Sequence, residues 1–297
     1  MEADRYLLLV NPSAGAGRAV RRLPAIEAEM RARGLEYRLV ETTGVEHGCA
    51  EAVAAAGAGE ITVVCSGDGL IGKVGGALAG SDGPLGVIPG GRGNDLARAV
   101  GIPTDPARAV AVLAAGNRRR IDVGEANGNR FLCIASCGFD SDANRIANES
   151  RFIRGSLVYA YAALKALWQW RPAEFKVAVD GDETTFRGYS VIVANSKAYG
   201  GGMFVAPEAE LDDGLLDIVT IAEVGKRRFL VNLPKLFKGT HVANPEVGTS
   251  RGAVIEVRAD RPFAVYADGD HLTDLPATVS LLPGALELIA PAADPGR

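Results

Sequence analysis

The chain has 297 residues, of which 47% are hydrophobic and 23% charged, and its formal net charge is −4. This length allows two domains that each bury a core, and this charge gives no electrostatic basis for binding nucleic acid. The N-terminus shows no signal-peptide pattern, and no apolar run approaches the roughly 20 residues that a membrane-spanning helix needs. We therefore expect a soluble, cytoplasmic protein that would meet lipid only at the membrane surface, as a peripheral protein. The sequence also leaves a homodimer open.

The first part of the chain alternates buried strands with helices. Residues 6–10, 61–65 and 85–88 are almost entirely apolar, which is typical of parallel strands covered by helices on both faces. Helical patterns are found near residues 23–33, 46–57, 70–79 and 94–100. The alternation predicts an α/β N-terminal domain with a parallel sheet, in which ligands bind beyond the carboxyl ends of the strands.

From about residue 121 the pattern changes to strands and hairpins. The dipeptides Asn127-Gly128 and Asp180-Gly181 are typical of two-residue hairpin turns. We predict further strands over 191–194, 215–221, 254–258 and 263–266, and helices over 156–170 and 226–238. This half is therefore predicted to be a mainly antiparallel β domain.

The four cysteines, Cys49, Cys65, Cys133 and Cys137, lie in apolar stretches with no histidine near the closely spaced pair. A zinc site needs a cluster of such ligands. We therefore interpret the cysteines as reduced thiols in the core.

Three of the early strands are each followed by a loop of small residues. These loops are residues 11–18, 66–69 and 89–95. Glycines at a strand-to-helix turn expose backbone N–H groups to an anion, and the positive end of the following helix points to the same place. One such loop could be a simple tight turn, but three loops at one edge of a sheet predict a phosphate-binding site.

The segment from Gly67 to Lys73 also fits the spacing of the phosphate loop of P-loop nucleotide hydrolases. The next residue is Val74, where that loop needs a Ser or Thr hydroxyl for Mg²⁺, and the segment follows the third strand instead of the first. We therefore reject this interpretation.

The glycine loops carry a family resemblance. In order and spacing they resemble the three signature loops of the diacylglycerol kinase catalytic-domain family, which includes bacterial lipid kinases and sphingosine kinases and is distantly related to NAD kinases. The matching segments are Asn11-Pro12-Ser13-Ala14-Gly15, Ser66-Gly67-Asp68-Gly69-Leu70 and Gly91-Arg92-Gly93-Asn94-Asp95. The resemblance continues through residues 195–202, 206–209, 211–217 and 238–241, so it spans nearly the whole chain.

The resemblance implies an N-terminal nucleotide domain over residues 1–121 and a β-sandwich-like lipid-substrate domain over residues 122–283. It also implies that the last strand, within residues 284–297, returns to the first domain. ATP and lipid would meet between the two domains. The implied cofactors are ATP and Mg²⁺, and the implied partner is a lipid substrate at the membrane surface.

The resemblance also implies which residues form the site. It assigns nucleotide contacts to the three glycine loops and to a threonine after the second strand, for which Thr43 is the better match and Thr42 the alternative. The nucleotide-binding residues are then Asn11, Pro12, Ser13, Ala14, Gly15, Thr43, Ser66, Gly67, Asp68, Gly69, Leu70, Ile71, Gly72, Arg92, Gly93 and Asn94. A structural Mg²⁺ in the second domain would be held by Glu210, Asp213 and the carbonyl of Leu215.

The chain departs from the family pattern at three positions. Leu70 replaces a threonine of many members, Lys73 replaces a glutamate, and Arg92 replaces a threonine that is usual in bacterial members. A guanidinium at position 92 could bind phosphate through two hydrogen bonds. Alternatively, Lys73 and Arg92 together could mark an inactive member.

Family members carry the catalytic base in a D-G-E tripeptide near the C-terminus, and the matching tripeptide here is Asp268-Gly269-Asp270. Asp270 would then be the base and Asp268 would orient the site, with Asp68 as the next candidate for the base. The same tripeptide recurs at Asp180-Gly181-Asp182, and Asp-Gly is an ordinary hairpin turn. Only the order of the motifs therefore favours residues 268–270.

The predicted helix over 156–170 is apolar on almost every face. Such a helix is usually buried, so we expect it to pack against the β domain. The alternative is that Trp168 and Trp170 contact the lipid interface, as indoles often do.

Taken with the resemblance, these features predict an ATP-dependent lipid kinase that acts on the hydroxyl of diacylglycerol or a related lipid such as a sphingoid base. One alternative is an NAD kinase-like enzyme with a soluble acceptor. The other is a catalytically silent nucleotide-binding regulatory protein.

Overall fold

The computed structural model describes residues 4–139, 141, 167–168 and 170–292. Strands and helices alternate through the first half, as predicted. The elements are β1 (Arg5–Val10), α1 (Arg18–Ala32), β2 (Glu36–Glu41), α2 (Val45–Gly57), β3 (Glu60–Ser66), α3 (Asp68–Leu78), β4 (Leu85–Pro89), α4 (Asp95–Ala99) and α5 (Pro106–Ala115).

Helix α1 begins at Arg18, five residues before the start that the apolar pattern predicts. Gly17 precedes it in the left-handed conformation, with φ of 78°. The start of the helix carries basic residues that bind neighbouring loops: Arg18 donates to the carbonyl oxygen of Gly91 and Arg22 to that of Pro89. Three of the first five residues are arginines, so a clear apolar periodicity begins only at Leu23, which explains the late prediction.

The four N-terminal strands form a parallel sheet in the order β2-β1-β3-β4. β1, β3 and β4 are buried along almost their whole length, because helices cover both faces of the sheet. The glycine loops after these three strands therefore emerge at the same edge.

The second half is mainly antiparallel, as predicted. Its elements are β5 (Arg118–Ala126), β6 (Asn129–Phe131), β7 (Ile134–Gly138), β8 (Ala173–Val179), β9 (Asp182–Ala194), β10 (Leu216–Ala222), α6 (Lys226–Leu236), a 3₁₀ helix (Thr240–Ala243), β11 (Val247–Gly252), β12 (Val254–Ala259), β13 (Ala264–Ala267), β14 (Asp270–Asp274) and β15 (Ala277–Ile289). The turns at Asn127-Gly128 and Asp180-Gly181 have positive φ at both residues, as two-residue hairpin turns require.

The long strand β15 joins the two halves. Its first residues pair with β12, and Leu288 near its end pairs in parallel with Leu85 of β4. The described strands therefore form one continuous hydrogen-bonded sheet, with the central order β14-β13-β7-β9-β8-β12-β15-β4-β3-β1-β2. β5 crosses the predicted domain limit at 121 and also pairs with β15, so the limits at 121 and 283 stay a prediction.

Two hydrophobic cores lie on the two halves of this sheet. The first contains the buried strands β1, β3 and β4 together with Leu286 and Leu288 of β15. The second is rich in aromatic rings, among which Trp170 stacks on Tyr189 with ring centroids 6.0 Å apart. None of the four cysteines, all of which the structure describes, forms a disulfide, and all except the half-buried Cys49 lie in these cores.

Most of the predicted helix over 156–170 lies outside the described residues. Its two tryptophans differ in exposure: Trp170 is 5% exposed, whereas Trp168 is 85% exposed. Within the described ranges, no helix has the length and apolar character needed to cross a bilayer.

Candidate active site

The three glycine loops meet above the carboxyl edge of the parallel sheet. The backbone N–H of Gly90 donates to the carbonyl oxygen of Ser66 over 2.8 Å, which links the second loop to the third. A Cβ atom on Gly91 would lie 2.5 Å from the Cα of Gly67, and a Cβ atom on Gly15 would lie 2.5 Å from the carbonyl oxygen of Gly90. Only glycine allows backbones to approach this closely.

The first loop is stabilised by hydrogen bonds to one of its own side chains. The Oδ1 atom of Asn11 accepts hydrogen bonds from the backbone N–H and the hydroxyl of Ser13, at 3.0 and 2.8 Å. Ala14 is the buried residue of the loop, and Gly15 adopts a positive φ of 58°. The loop over 11–15 therefore has a defined conformation, in which Pro12 and Gly15 are half-exposed.

Helix α3 begins directly in the second loop, with Gly67 as its N-cap. Its N-terminus thus points its free N–H groups and positive dipole end toward the loops, as phosphate binding needs. Gly72 and Lys73, which complete the P-loop-like spacing, lie inside this helix and not in a loop. The structure therefore agrees with the rejection of a P-loop.

Two aspartates tie the loops together. The carboxylate of Asp68 accepts hydrogen bonds from the backbone N–H groups of Asn94, at 2.8 Å, and Asp95, at 2.5 Å. Asp95 in turn accepts from Gly200 and Gly201 at 2.8 and 2.9 Å, so it connects the third loop to the second half of the chain. Asn94 supports the turn itself, because its side-chain oxygen accepts from Gly91 over 2.9 Å.

Asp95 is a site residue that the sequence analysis did not assign a role. It stands at the end of a quoted signature loop, next to the assigned Asn94, so the motif itself carried the signal. Its partners lie more than a hundred residues further along the chain, in a segment that the same resemblance covered.

The hairpin turn over 268–270 packs against helix α3. A Cβ atom on Gly72 would lie 2.7 Å from a carboxylate oxygen of Asp268, and one on Gly69 would overlap the carboxylate of Asp270. The glycines on this face of α3 thus admit the two aspartates. Asp268, Asp270, Gly69, Gly72 and Lys73 line one small cavity.

The two aspartates of this hairpin have different surroundings. Asp268 is half-buried and accepts hydrogen bonds from the backbone N–H groups of Leu132, at 2.7 Å, and Cys133, at 3.0 Å. Asp270 is more open, and its carboxylate lies over the start of α3 beside Gly69. This arrangement suits an orienting role for Asp268 and a reactive role for Asp270, and both roles stay predictions.

The second D-G-D tripeptide has a similar turn conformation but different hydrogen-bond partners. Asp180 has φ of 50° and Asp268 has φ of 51°, so both begin the same kind of turn. The Asp180 carboxylate, however, accepts hydrogen bonds from the N–H groups of Ala253 and Val254 on a neighbouring strand. Asp182 is exposed at the start of β9.

Burial raises the pKa values of three carboxyl groups at this site, those of Asp95, Asp268 and Asp270. Burial, and then the charge of Asp68, raise the pKa of Asp95 to about 7. Burial is also the main cause that raises the pKa of Asp268 to about 6, with Asp68 again adding to it. Burial raises the pKa of Asp270, while the nearby ammonium of Lys73 opposes the shift. Acidic groups with raised pKa values in a cleft are typical of catalytic sites.

These shifts predict a pH dependence of stability. With its pKa raised to about 7, folded Asp95 keeps its proton up to that pH, whereas the unfolded group releases it near its ordinary pKa of 3.8. The folded state therefore loses stability as the pH rises through this window. In denaturant titrations, the unfolding free energy of Asp95→Asn should decrease less between pH 4 and pH 7 than that of the wild type.

Asp182→Asn, at an exposed position, is the matched control and should keep the wild-type pH slope. An Asp95→Asn slope equal to that of wild type would mean that Asp95 is ionised in the folded protein throughout.

The remaining residues predicted to bind nucleotide differ in their exposure. Thr43 is exposed, and its backbone N–H donates to Nδ1 of His47 over 3.1 Å, whereas Thr42 is buried. Leu70 and Ile71 are buried on α3 and face the core. Gly93 lies against the Asp68 carboxylate, because a Cβ atom there would be 2.7 Å from its Oδ2 atom.

Arg92 is exposed at the tip of the third loop. If its guanidinium binds phosphate, Arg92→Ala should raise the KM for ATP roughly tenfold, since a hydrogen bond to a charged group contributes about 1.5–3 kcal/mol. Arg92→Thr should recover part of this loss by restoring a hydroxyl. The test is steady-state kinetics. If the KM of Arg92→Ala for ATP equals that of wild type, Arg92 is a solvated surface charge that does not bind phosphate.

The predicted structural Mg²⁺ site does not present free ligands. Glu210 forms an ion pair with Lys197 at 2.9 Å, and Asp213 pairs closely with Arg251. Asp213 also accepts a hydrogen bond from the backbone N–H of Leu215, over 3.0 Å. In the part of the chain that the structure describes, no cluster of three acidic, histidine or cysteine ligands is arranged for a metal. Binding there would require both basic side chains to move, and this site stays a prediction.

Comparison with known families covers both halves of the chain. Residues 5–126 match the family described as the diacylglycerol kinase catalytic domain. Residues 133–290 match the family described as the YegS C-terminal NAD kinase beta sandwich-like domain. The two matches correspond to the α/β half and the antiparallel half described above.

Similar proteins match over nearly their whole length. A diacylglycerol kinase of Mycobacterium tuberculosis strain H37Rv is 37% identical, with 98% of this chain and 96% of that protein covered. A protein of Pseudomonas aeruginosa strain PAO1 named "Probable lipid kinase YegS-like" is 30% identical, with 99% and 97% covered. A crystal structure of a diacylglycerol kinase from Bacillus anthracis strain Sterne has the same fold, with a TM-score of 0.78, 24% identity and 98% of both chains covered. The chain therefore belongs to the diacylglycerol kinase catalytic-domain family of lipid kinases.

Proposed function

We propose that the protein is an ATP-dependent lipid kinase that transfers the γ-phosphate of ATP to the hydroxyl of diacylglycerol or a related lipid. The observation that carries the proposal is the meeting of three glycine loops with the hairpin over 268–270 at the start of α3. A phosphate-binding surface thus lies beside carboxylates that can accept a proton. Phosphoryl transfer needs both features in one place.

The loops have the properties that a triphosphate requires. Their backbones approach so closely that a side chain at Gly15 or Gly91 would clash with backbone atoms. The N-terminus of α3 adds a positive dipole end at the same place. These features support ATP as the phosphate donor, with its phosphates along residues 11–15, 66–69 and 91–94.

Asp270 is the proposed general base. It would accept the proton of the lipid hydroxyl while the hydroxyl oxygen forms a bond to the γ-phosphorus. The bond between this phosphorus and the bridging oxygen breaks, and ADP leaves. The hydrogen bonds from Leu132 and Cys133 hold Asp268 in the turn that presents Asp270.

Mg²⁺ bound with ATP would neutralise phosphate charge during transfer. Asp68 and Asp95 belong to the second and third loops, where the Asp68 carboxylate accepts hydrogen bonds from the backbone N–H groups of Asn94 and Asp95. Their mutual repulsion, which contributes to the raised pKa of Asp95, would be relieved by a cation. This chemistry suits a divalent ion near the loops better than at the paired Glu210 and Asp213.

An acceptor panel tests the proposal. The purified protein is incubated with γ-labelled ATP and Mg²⁺, together with diacylglycerol, a sphingoid base, NAD or no acceptor. The proposal predicts labelled phospholipid from a lipid acceptor only. Label in NAD alone would indicate an NAD kinase-like enzyme, and no transfer at all despite ATP binding would indicate a silent regulatory protein.

A further inference from the structure

Helix α6 and its flanks carry an exposed surface that the site does not use. Phe229 of this helix is buried, and Leu233 and Leu236 pack against the cores. The opposite face bears an apolar stripe of residues 230, 231, 234 and 237. Val231 is 74% exposed and Phe237 is 58% exposed. We call this face, with Arg227, Lys238 and Trp168, the α6 surface.

The stripe continues at both ends of the helix. At the N-terminal end, Nζ of Lys226 donates to the carbonyl oxygen of Trp168 over 2.8 Å and lies 6.0 Å from the centroid of its ring. The indole of Trp168 is 85% exposed. At the C-terminal end, the backbone N–H of Phe204 donates to the carbonyl oxygen of Leu236 over 2.8 Å, and Phe204 is 42% exposed.

The α6 surface is also strongly basic. No aspartate or glutamate occurs between Glu223 and Glu246, although the whole chain has a net charge of −4. The basic residues of this stretch are Lys226, Arg227, Arg228, Lys235 and Lys238. Arg228 is paired with Glu246 at 2.7 Å, and Lys235 donates to Asn244 at 2.7 Å. Arg227 and Lys238 are exposed beside the apolar stripe and form no ion pair with a described residue.

Apolar side chains flanked by cations that form no ion pair with a described residue match the surface of an anionic bilayer. The apolar side chains can enter the interface, while the cations stay at the level of the lipid phosphates. A second copy of the chain fits less well, because a symmetric contact through this surface would bring the basic patches of the two copies together. We propose that the α6 surface docks the protein on membranes that contain anionic lipid.

The position of the α6 surface relates docking to the proposed function, on which this step of the inference rests. Phe204 follows the loop over 199–203, and two backbone N–H groups of this loop hold Asp95 in the active site. Docking through α6 would therefore set the catalytic loops close to the bilayer that contains the lipid acceptor.

Vesicle sedimentation tests the proposal with the full-length protein. The probes are vesicles of phosphatidylcholine alone and vesicles of phosphatidylcholine with phosphatidylglycerol. Wild type should bind the second kind more tightly and lose this preference at high salt. Arg227→Ala/Lys238→Ala should lower the partition coefficient roughly 10- to 30-fold, since each basic residue near such a surface contributes about a fivefold factor.

Matched variants separate charge from apolar contact. Val231→Ser/Phe237→Ser should weaken binding at unchanged charge. Arg108→Ala/Lys176→Ala removes two exposed cations elsewhere, and Val53→Ser removes an exposed apolar side chain of α2; both controls should bind like wild type. The emission of the exposed Trp168 should shift to the blue on binding, and Trp168→Phe should abolish this shift, because Trp170 is already buried.

Three results would overturn the proposal: equal binding to both kinds of vesicle, α6-surface variants that bind like their controls, or Val231→Ser/Phe237→Ser converting a dimer to a monomer with unchanged vesicle binding.

Rates on a detergent-dispersed lipid acceptor separate this inference from the proposed function. The α6-surface variants should keep the wild-type rate there, since the acceptor no longer lies in a bilayer. A wild type that binds vesicles but phosphorylates no dispersed lipid would contradict the proposed function and leave docking supported.

Discussion

Asp270→Asn is expected to lower the turnover number roughly 10²–10⁴-fold at saturating ATP and lipid, the range typical of a lost general base. The variant keeps the size of the side chain but cannot accept the proton of the lipid hydroxyl. Its amide still lies beside Gly69, in the cavity that Lys73 also lines. The affinity for ATP should therefore stay close to wild type, as measured by calorimetry.

Asp182→Asn is the natural control, because it makes the same change in the same tripeptide at an exposed position. It should turn over like wild type. Normal turnover of Asp270→Asn would place the base elsewhere, and Asp68 would become the next candidate.

Gly91→Ala is expected to lower the affinity for ATP by at least about tenfold, because its Cβ atom would lie 2.5 Å from the Cα of Gly67. The obstacle is backbone, so no side chain can move aside, and the second and third loops must separate. Displacement of binding groups by about 1 Å can cost two orders of magnitude in rate. Calorimetric titration with ATP·Mg²⁺ measures the binding directly.

Gly57→Ala makes the same chemical change at the end of α2, where no atom lies within 4 Å of the new methyl group. It should bind ATP like wild type. If Gly91→Ala binds ATP with wild-type affinity and keeps its melting temperature, the nucleotide does not bind at the glycine loops.

The loops and strands of the first half were predictable because their physical causes are local. Apolar strands such as β1 and β3 are buried on both faces, so their sequences alone indicate a parallel sheet. Gly15 and Gly91 lie where two backbones approach too closely for a Cβ atom. The sequence indicates this requirement by placing glycines in the loops that follow the strands.

Contacts between distant segments could not be predicted in the same way. The hydrogen bonds from Gly200 and Gly201 to Asp95 depend on how the two halves fold together. The ion pairs of Glu210 with Lys197 and of Asp213 with Arg251 likewise join segments whose spacing carries no signal. The resemblance therefore identified candidate metal ligands without revealing that basic side chains pair with them.

The two D-G-D tripeptides also show that the sequence alone does not predict tertiary contacts. Their sequences and turn conformations are alike, with φ of 50° at Asp180 and 51° at Asp268. They differ in what faces them, which is strand β12 for Asp180 and the glycine face of α3 for Asp268. Only the tertiary structure brings residues 268–270 next to the phosphate-binding loops.

The most direct test of the proposed function is the stoichiometry of phosphoryl transfer. Wild-type protein is incubated with ATP, Mg²⁺ and diacylglycerol in mixed micelles, and ADP and chloroform-extractable lipid phosphate are measured together. A lipid kinase should form one lipid phosphate for each ADP, and form almost no ADP when diacylglycerol is omitted. Formation of ADP without lipid phosphate for every lipid hydroxyl tested would contradict the assignment of this site to lipid phosphorylation.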